Sequence, residues 1–212
     1  RLGAPAAPAR TLAPASPAPP HAPAPPQSTH AAAPKPLSRA ALRRRERTVV
    51  AVRESTRFPG LEASAHALAA PISMFIPHAF PAAGAHKRQD LRAVCTVQPA
   101  EIDIMTINET TEAERARLFQ VFADFATEFA EAVPRGRFVE FADMDGTSVL
   151  ATPGPSSFNE VELISSALGY RLVTIGGVSI VDHPRLGKSI YLGSILTSAT
   201  DVEIRRALEG VL

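Results

Sequence analysis

Few residues of this sequence have the type and spacing that chemistry at a site requires. Cys95 is the single cysteine among the 212 residues, and no histidine or asparagine stands in a recognisable catalytic arrangement around it. One cysteine excludes an internal disulfide framework and a thiolate-rich zinc site. We therefore interpret Cys95, which lies between Val94 and Thr96, as a small buried apolar residue and not as a nucleophile.

Two further motifs match ligand loops only in part. Asp143-x-Asp145-Gly146 has the opening of a calcium loop, but the remaining oxygen ligands and the distal glutamate are missing, so it predicts a turn. Gly176-Gly177 is the single pair of adjacent glycines, and it fits neither phosphate-binding glycine pattern. No basic cluster is placed to hold a flavin phosphate. We therefore expect a protein that binds no metal or cofactor directly and is not an enzyme.

Large apolar residues at helical spacing follow residue 111. They recur every three or four positions, at Leu118, Phe122, Phe125, Phe129 and Val133. Thr111 and Glu114 have the spacing of a capping box, and Pro134 ends the pattern. A stripe of this period is typical of a helix that covers a sheet, so we predict core packing here and not an aromatic ligand site.

Segments rich in β-branched and aromatic residues predict the strands. The run Glu101–Ile107 predicts a central strand, and Arg137–Asp143 with residues 148–151 predicts a hairpin. Two further strands are predicted over Arg171–Val181 and over residues 189–197. The turn Asp182–Lys188 joins them.

Two shorter helices complete the pattern. One extends over Ser157–Leu168 and ends at Gly169, in the position of a left-handed cap. The other begins near Asp201, with Thr200 or Asp201 as its N-cap, and continues to the last residue of the sequence. Strands and helices in this order, without strict alternation, predict an α+β fold in which helices pack on a largely antiparallel sheet.

The first 45 residues differ in composition from the rest. Eleven of the twenty prolines fall within residues 1–36, and this Ala/Pro-rich segment has too few large apolar side chains to offset the entropy of ordering it. We expect residues 1–45 to be a disordered or extended tail. No acidic residue precedes Glu46, whereas seven Arg or Lys residues do. This composition is typical of a transit peptide and predicts a mitochondrial protein, with the cytoplasm, another organelle or a plain linker as alternatives.

The sequence argues against a nucleic-acid partner and against a membrane-spanning helix, and it indicates how the chain after the tail is divided. Only Arg43–Arg45 form a basic cluster, and no aromatic residue lies among the cations of the tail, so no nucleic-acid partner is expected. The uncharged run 63–86 is interrupted by three prolines, which argues against a membrane-spanning helix and favours an extended segment. We therefore predict an extended linker over 46–89 and an α+β domain over 90–212.

Motifs at fixed spacing mark the part of the chain after residue 90. They are Arg92-x-x-Cys95-x-x-Gln98, Phe138-x-Glu140-Phe141-x-Asp143, Leu168-Gly169-Tyr170, Ile175-Gly176, His183, Gly187 and Leu192-Gly193-Ser194-Ile195-Leu196-Thr197-Ser198-Ala199-Thr200. Together they resemble the C-terminal domain of the methylmalonic aciduria and homocystinuria type D family, also called cobalamin trafficking protein D. The resemblance covers residues 90–212.

This resemblance implies a nitroreductase-like fold that has lost flavin binding and works by protein contact. It implies a non-enzymatic adaptor in cobalamin trafficking, whose partner is a cobalamin chaperone or methionine synthase, with cobalamin reached only through that partner. The candidate partner-contact residues lie in the turn after Ile175 and in the turn at 182–188. They are Gly176, Gly177, Val178, Asp182, His183 and Lys188.

One departure from the family pattern changes the expected chemistry. In the animal members, the turn after Leu-Gly carries two adjacent cysteines, one of which supplies a thiolate to the cobalt of cobalamin held by the chaperone. The matching positions here are Gly177 and Val178, which offer no sulfur ligand. An alternative function is therefore an accessory structural subunit of a large mitochondrial respiratory-chain complex that reuses this fold. An Ala/Pro-rich tail cannot order itself, and such an assembly could hold it.

Overall fold

The computed structural model describes residues 48–68, 70–142 and 158–212. The seven β-strands within them are β1 Thr48–Glu54, β2 Glu62–Ala67, β3 Arg92–Pro99, β4 Val139–Ala142, β5 Arg171–Ile175, β6 Val178–Asp182 and β7 Ile190–Thr197. The four α-helices of the same residues are α1 Ala70–Ala79, α2 Glu109–Ala132, α3 Glu160–Leu168 and α4 Asp201–Val211, and two 3₁₀ helices are Pro81–Ala85 and Arg88–Asp90. This mixture confirms the predicted α+β class, while the nitroreductase-like assignment stays a prediction.

Five strands form one antiparallel sheet in the order β1-β2-β3-β7-β4. Strands β3 and β7 are central and pair without interruption, from Arg92 opposite Thr197 to Pro99 opposite Ile190. Every residue of β7 is buried, because apolar layers cover both faces of the sheet at this strand. A strand buried on both faces can carry only apolar, small or hydrogen-bonded side chains. This explains the composition of β7.

Helices α2 and α4 cover one face of the sheet. At the start of α2, the Asn108 side chain accepts a hydrogen bond from the Thr111 amide, and the Thr111 hydroxyl accepts one from the Asn108 amide. The fully buried aromatic residues of α2 are Phe122, Phe125 and Phe129. Phe122 packs over Gly193 of β7, where an added Cβ would lie 2.5 Å from two carbons of the ring. Glycine is therefore required at this position.

Helices α1 and α3 cover the opposite face, together with part of β6. Phe80, just after α1, meets Phe158, just before α3, with ring centroids 5.2 Å apart in an edge-to-face contact. The Asn159 side chain caps α3, and Gly169 ends it with a φ of 67°, as the sequence predicts. Strands β5 and β6 form a separate two-stranded sheet beside this layer.

Several predicted elements are confirmed within the described residues. The long helix is α2, and its aromatic stripe lies in the core. The second predicted helix is α3, the last strand is β7, and the closing helix is α4 with Thr200 as its N-cap. The first strand of the predicted hairpin is β4, which pairs with β7.

The central strand predicted over Glu101–Ile107 is wrong, since β3 has that place and residues 101–108 form bends and turns. The physical reason is a local turn. The Asp103 carboxylate accepts a hydrogen bond from the Met105 amide, and such a bond competes with pairing in a sheet. Of the apolar residues that suggested a strand, Ile104 is fully buried without belonging to the sheet, whereas Met105 and Ile107 are exposed.

The predicted capping box of α2 also needs correction. Its N-cap is Asn108, and Thr111 is the third helical residue that reciprocates. Glu114 instead accepts two hydrogen bonds from Arg117 and one from the Glu101 amide, so it fixes the preceding loop. An asparagine is as good an N-cap as threonine, and the spacing alone could not separate the two readings.

The extended linker predicted over 46–89 is wrong as well. Its described residues supply β1, β2, α1 and both 3₁₀ helices, and they belong to the same folded unit as the rest. β2 pairs along its whole length with β3, from Glu62 opposite Val97 to Ala67 opposite Arg92. Its alanine and serine residues have low strand propensity, and it forms because β3 offers a partner and a buried face. Helix α1 likewise forms although it contains Pro77 in its interior.

One further difference concerns the strand predicted over Arg171–Val181. The chain reverses at Gly176 and Gly177, so this segment is the β5–β6 hairpin. Three predictions lie outside the described residues: the tail 1–45, the motif Asp143–Gly146 and the strand at 148–151.

We expect Phe122→Ala to lower the free energy of unfolding by about 3–5 kcal/mol, because it empties a fully buried aromatic site. Gly193→Ala should cost about 1–3 kcal/mol through clashes of the added Cβ with the ring and with the Thr96 hydroxyl oxygen, which would lie 2.7 Å away. In the double variant the added methyl group occupies part of the space left by the ring, so its loss should be smaller than the sum. Chemical denaturation of all three variants measures this coupling, and strict additivity would contradict the contact.

Candidate functional site

The β5–β6 hairpin places the predicted turn at its tip. The strands pair from Arg171 opposite Asp182 to Ile175 opposite Val178. Gly176 and Gly177 connect them with φ angles of 58° and 86°, as in the type I′ turns of two-residue hairpins. A side chain at either position would be strained, because L-residues other than glycine rarely adopt positive φ.

The tip of the hairpin exposes large apolar side chains. Ile175 and Val178 are 52% and 57% exposed, and they lie side by side on either side of the turn. The next pair on the same face is Val173, half-buried, opposite Ile180, which is buried. A continuous apolar strip therefore leads from the buried base of the hairpin to its exposed tip. On the other face Leu172 is 41% exposed.

The base of the hairpin is fixed by the turn that follows β6. His183 and Gly187 exchange two backbone hydrogen bonds, each of 2.9 Å. The Nδ1 atom of His183 accepts further bonds from the amides of Arg185, at 3.2 Å, and Leu186, at 3.0 Å. An Nδ1 that accepts hydrogen bonds carries no proton, so the proton of the neutral ring is on Nε2. The ring thus organises the turn from inside.

Two contacts tie this turn to the large sheet. The Nε2 atom of His183 lies 3.8 Å from Oε2 of the buried Glu62 carboxylate on β2. The Arg185 guanidinium donates a hydrogen bond to Oε1 of Glu62 and reaches Oε1 of Glu54 on β1 at 3.3 Å. The ring of Tyr170 meets His183 edge-on, with centroids 4.7 Å apart. The direction of the hairpin is therefore set by a polar network and not by the turn alone.

The structure brings the six predicted contact residues to the two ends of one hairpin. Gly176, Gly177 and Val178 are exposed at the tip. Asp182 is half-buried at the base, Lys188 is exposed there, and the side chain of His183 is buried, where it shapes the turn. The two groups lie at opposite ends of β6, four residue steps or about 13 Å apart. The tip and the base are thus distinct surfaces.

Three functional residues were missed by sequence reasoning. Ile175 stands next to the predicted turn, and an apolar residue beside an exposed turn is a usable signal for a contact surface. Arg185 lies inside the predicted turn, but neither its residue type nor its spacing distinguishes it from the other residues of that turn. Glu62 is more than a hundred positions away in sequence, and only the pairing of β2 with β3 brings it to the hairpin.

Cys95 lies under the second layer and away from the surface. It is buried between Ser64 of β2 and Ser194 of β7, which are its direct cross-strand neighbours. Burial, followed by the nearby Glu160 carboxylate, raises the pKa of its thiol well above the usual range. The thiolate form that binds metals is therefore disfavoured here, which confirms the interpretation of Cys95 as a buried apolar residue.

Other residues of the family-like motifs also make structural contacts. Arg92 donates to the Asp201 carboxylate at 2.8 Å, and thereby joins β3 to α4. The Gln98 side chain donates to the carbonyl of Leu118 in α2 at 3.1 Å. The Thr96 hydroxyl donates to the carbonyl of Gly193 at 3.0 Å. These motifs hold the sheet to its helices.

The described residues contain neither a candidate metal site nor a candidate membrane-spanning helix. In residues 48–68, 70–142 and 158–212, no three His, Cys, Asp or Glu side chains are grouped so that they could hold a metal ion. Over the same part of the chain, no helix has the length and apolar character needed to cross a membrane.

No protein-family model matches the chain. Among curated proteins it is similar to the cobalamin trafficking protein CblD of Rattus norvegicus, with 31% identity over 125 residues, and to the protein of the same name of Mus musculus, with 30% identity over 125 residues. Each match covers 57% of this chain and 42% of the relative, so the chain spans less than half the length of these relatives. These matches confirm the resemblance to the type D family.

We expect the protein to lose stability as the pH falls below about 6.5, the ordinary pKa of histidine. Burial lowers the pKa of His183, and it lowers that of His66, hydrogen-bonded to Ser64, to about 4. A group with a lower pKa in the folded state binds more protons when unfolded, so unfolding becomes easier as pH falls from 6.5 towards the folded pKa.

Urea denaturation at a series of pH values tests this expectation. His183→Asn keeps an acceptor near the position of Nδ1, and His66→Gln keeps a polar group near Nε2, but neither replacement titrates. Each variant should therefore show a flatter dependence of the unfolding free energy on pH below 6.5 than the natural protein, and for His66→Gln this difference should extend down to about pH 4. An unchanged slope in both variants would contradict the burial of these rings as neutral groups.

Proposed function

We propose that this chain, as a relative of the CblD proteins, is an adaptor in cobalamin trafficking that works by protein contact and catalyses no reaction of its own. Its partner is a cobalamin chaperone or methionine synthase. Cobalamin is held by that partner, and this chain presents the β5–β6 hairpin to it. The similarity to the rat and mouse proteins supports the trafficking role.

The observation that carries the contact hypothesis is the apolar strip of the hairpin. Ile175 and Val178 are exposed at the end of a strip that is otherwise half-buried or buried. Exposed apolar side chains on a rigid projection act as anchors, since burying them in a partner removes apolar area from water at little cost in conformational entropy. The hydrogen bonds of His183 and the Glu62–Arg185 pair supply that rigidity.

The residues at the hairpin tip support the proposal that this adaptor does not coordinate cobalt through sulfur. Gly177 and Val178 carry no ligand atom in their side chains, and Cys95 is buried between two strands. Under this proposal the chain contributes shape and apolar contact, and the partner supplies all ligands of the cobalt. The acid-free, Arg-containing tail supports a mitochondrial location for this activity.

The first test measures binding of the full chain to a purified, cobalamin-loaded chaperone by calorimetry. Ile175→Asp with Val178→Asp should weaken binding by about 10- to 100-fold, because two apolar anchors are replaced by charges. Val202→Asp on α4 is the matched control, since Val202 is 58% exposed and lies outside the hairpin, and it should leave affinity unchanged.

Equal affinity of the double variant and the natural protein would reject the hairpin as the contact surface. If the natural protein binds neither the chaperone nor methionine synthase, and is recovered instead in a stoichiometric respiratory complex, the adaptor role is rejected in favour of the accessory-subunit role. Affinity purification from isolated mitochondria provides this second readout.

The second test introduces a cysteine thiol at the tip of the hairpin. We expect Gly177→Cys to change the visible spectrum of the cobalamin-loaded chaperone after reduction and exposure to air, because a thiolate at the tip can coordinate the cobalt. The natural protein should leave that spectrum unchanged. Gly136→Cys is the control, because Gly136 is also an exposed glycine with positive φ. A thiolate-like change produced by the natural protein would contradict the proposal.

A further inference from the structure

Helix α1 exposes two large apolar side chains at adjacent positions. Met74 and Phe75 are 56% and 69% exposed, whereas Ile76 and Ala79 of the same helix are buried in the second layer. The exposed pair therefore projects from a helix whose other side is held firmly by the core. It lies on a different element from the hairpin and plays no part in the contact proposed above.

The surroundings of this pair are basic. Residues 63–89 contain no Asp or Glu, and the acidic residue nearest to Arg88 in sequence is the exposed Asp90 at the end of the same 3₁₀ helix. Lys87 and Arg88 are exposed, and they line a surface groove of about 720 Å³ together with Ser73, which directly precedes Met74 in α1. Neither cation takes part in any ion pair found among the described residues. The helix that carries the two exposed apolar side chains thus borders, through Ser73, a groove that is lined by two cations.

We propose that this region is a peripheral contact site for an anionic phospholipid membrane. We call it the α1 surface and define it as Met74, Phe75, Lys87 and Arg88 with the groove between α1 and the second 3₁₀ helix. Interfacial helices bind membranes by placing apolar side chains at the boundary of headgroups and acyl chains, with cations at the level of the phosphates. The α1 surface has both parts in neighbouring positions.

The shape of the α1 surface favours a membrane over an acidic protein as its occupant. A protein partner has to supply a pocket shaped for each projecting side chain, whereas a lipid boundary accepts any convex apolar group. The groove beside the pair is lined by cations and by the polar Ser73 and Gln89, which suits a phosphate headgroup. Each cation near an anionic surface raises the membrane affinity by roughly fivefold.

The expected contact is weak and reversible. Two apolar side chains and two cations provide less membrane affinity than a transmembrane helix or a pair of lipid anchors. Such a contact would keep the protein near a membrane surface and leave the hairpin free for its partner.

Co-sedimentation of the full chain with lipid vesicles tests the proposal. Vesicles of phosphatidylcholine alone should bind little protein, and vesicles with equal amounts of phosphatidylcholine and phosphatidylserine should bind more. Met74→Ser with Phe75→Ser should lower the partition coefficient on the anionic vesicles by about tenfold or more. Lys87→Gln with Arg88→Gln should lower it by roughly 20- to 30-fold.

Matched controls separate the α1 surface from general effects of exposed apolar residues and of charge. Val202→Ser removes an exposed apolar residue of α4, and Arg171→Gln with Arg206→Gln removes two exposed cations elsewhere. These variants should bind anionic vesicles nearly as the natural protein does. Thermal unfolding followed by circular dichroism confirms that every variant is folded.

The proposal is rejected if the natural protein fails to bind anionic vesicles, or if both α1 variants bind them as well as the controls do. It is also rejected if the α1 variants keep their vesicle binding and lose affinity for an acidic protein, because the occupant would then be a protein. These outcomes do not depend on cobalamin or on the chaperone, so they are distinct from failure of the proposed function.

Discussion

The contact between Phe122 of α2 and Gly193 of β7 is the constraint on which the rest of the structure depends. It lets the long helix approach the centre of the sheet, and it requires a glycine in a strand that is buried on both faces. The Thr96 hydroxyl supports the position by donating to the Gly193 carbonyl. With α2 and α4 on one face, the other face is left for α1, α3 and the base of the hairpin.

The hairpin extends beyond both of these layers, and a different interaction controls its direction. Its base is held by the buried Glu62 carboxylate, the Arg185 guanidinium and the His183 ring. Burying a carboxylate is costly and repays that cost only when its hydrogen bonds are well made, so such a group contributes more to a unique orientation than to net stability. This network fixes where the apolar tip points, and a contact surface needs a fixed direction more than it needs extra stability.

The family-like motifs and the contact surface serve different purposes. Arg92, Gln98 and Gly193 join strands to helices, which accounts for their presence whatever the protein does. The constraint at the hairpin tip is of another kind: a side chain at Gly177 would meet no other atom within 4 Å, but the positive φ of this residue favours glycine. The tip is therefore constrained by its backbone conformation and not by packing.

The sequence by itself determined the elements that depend on local signals. The aromatic period of α2, the cap at Gly169 and the helix start at Thr200 are all decided by interactions within a few residues. The turn at Gly176 and Gly177 was indicated by the family resemblance, whereas the residue pattern alone predicted one strand over Arg171–Val181.

Only the tertiary structure decided the rest. β2 and α1 have weak propensities of their own, and they form because β3 and the second apolar layer supply partners. The Asp103 turn removed a strand that the apolar pattern favoured. Glu62 reaches His183 through strand pairing across more than a hundred residues, and contacts of that separation depend on the whole sheet. A local pattern contains no information about them, because the energy that forms them is gained only after the chain has folded.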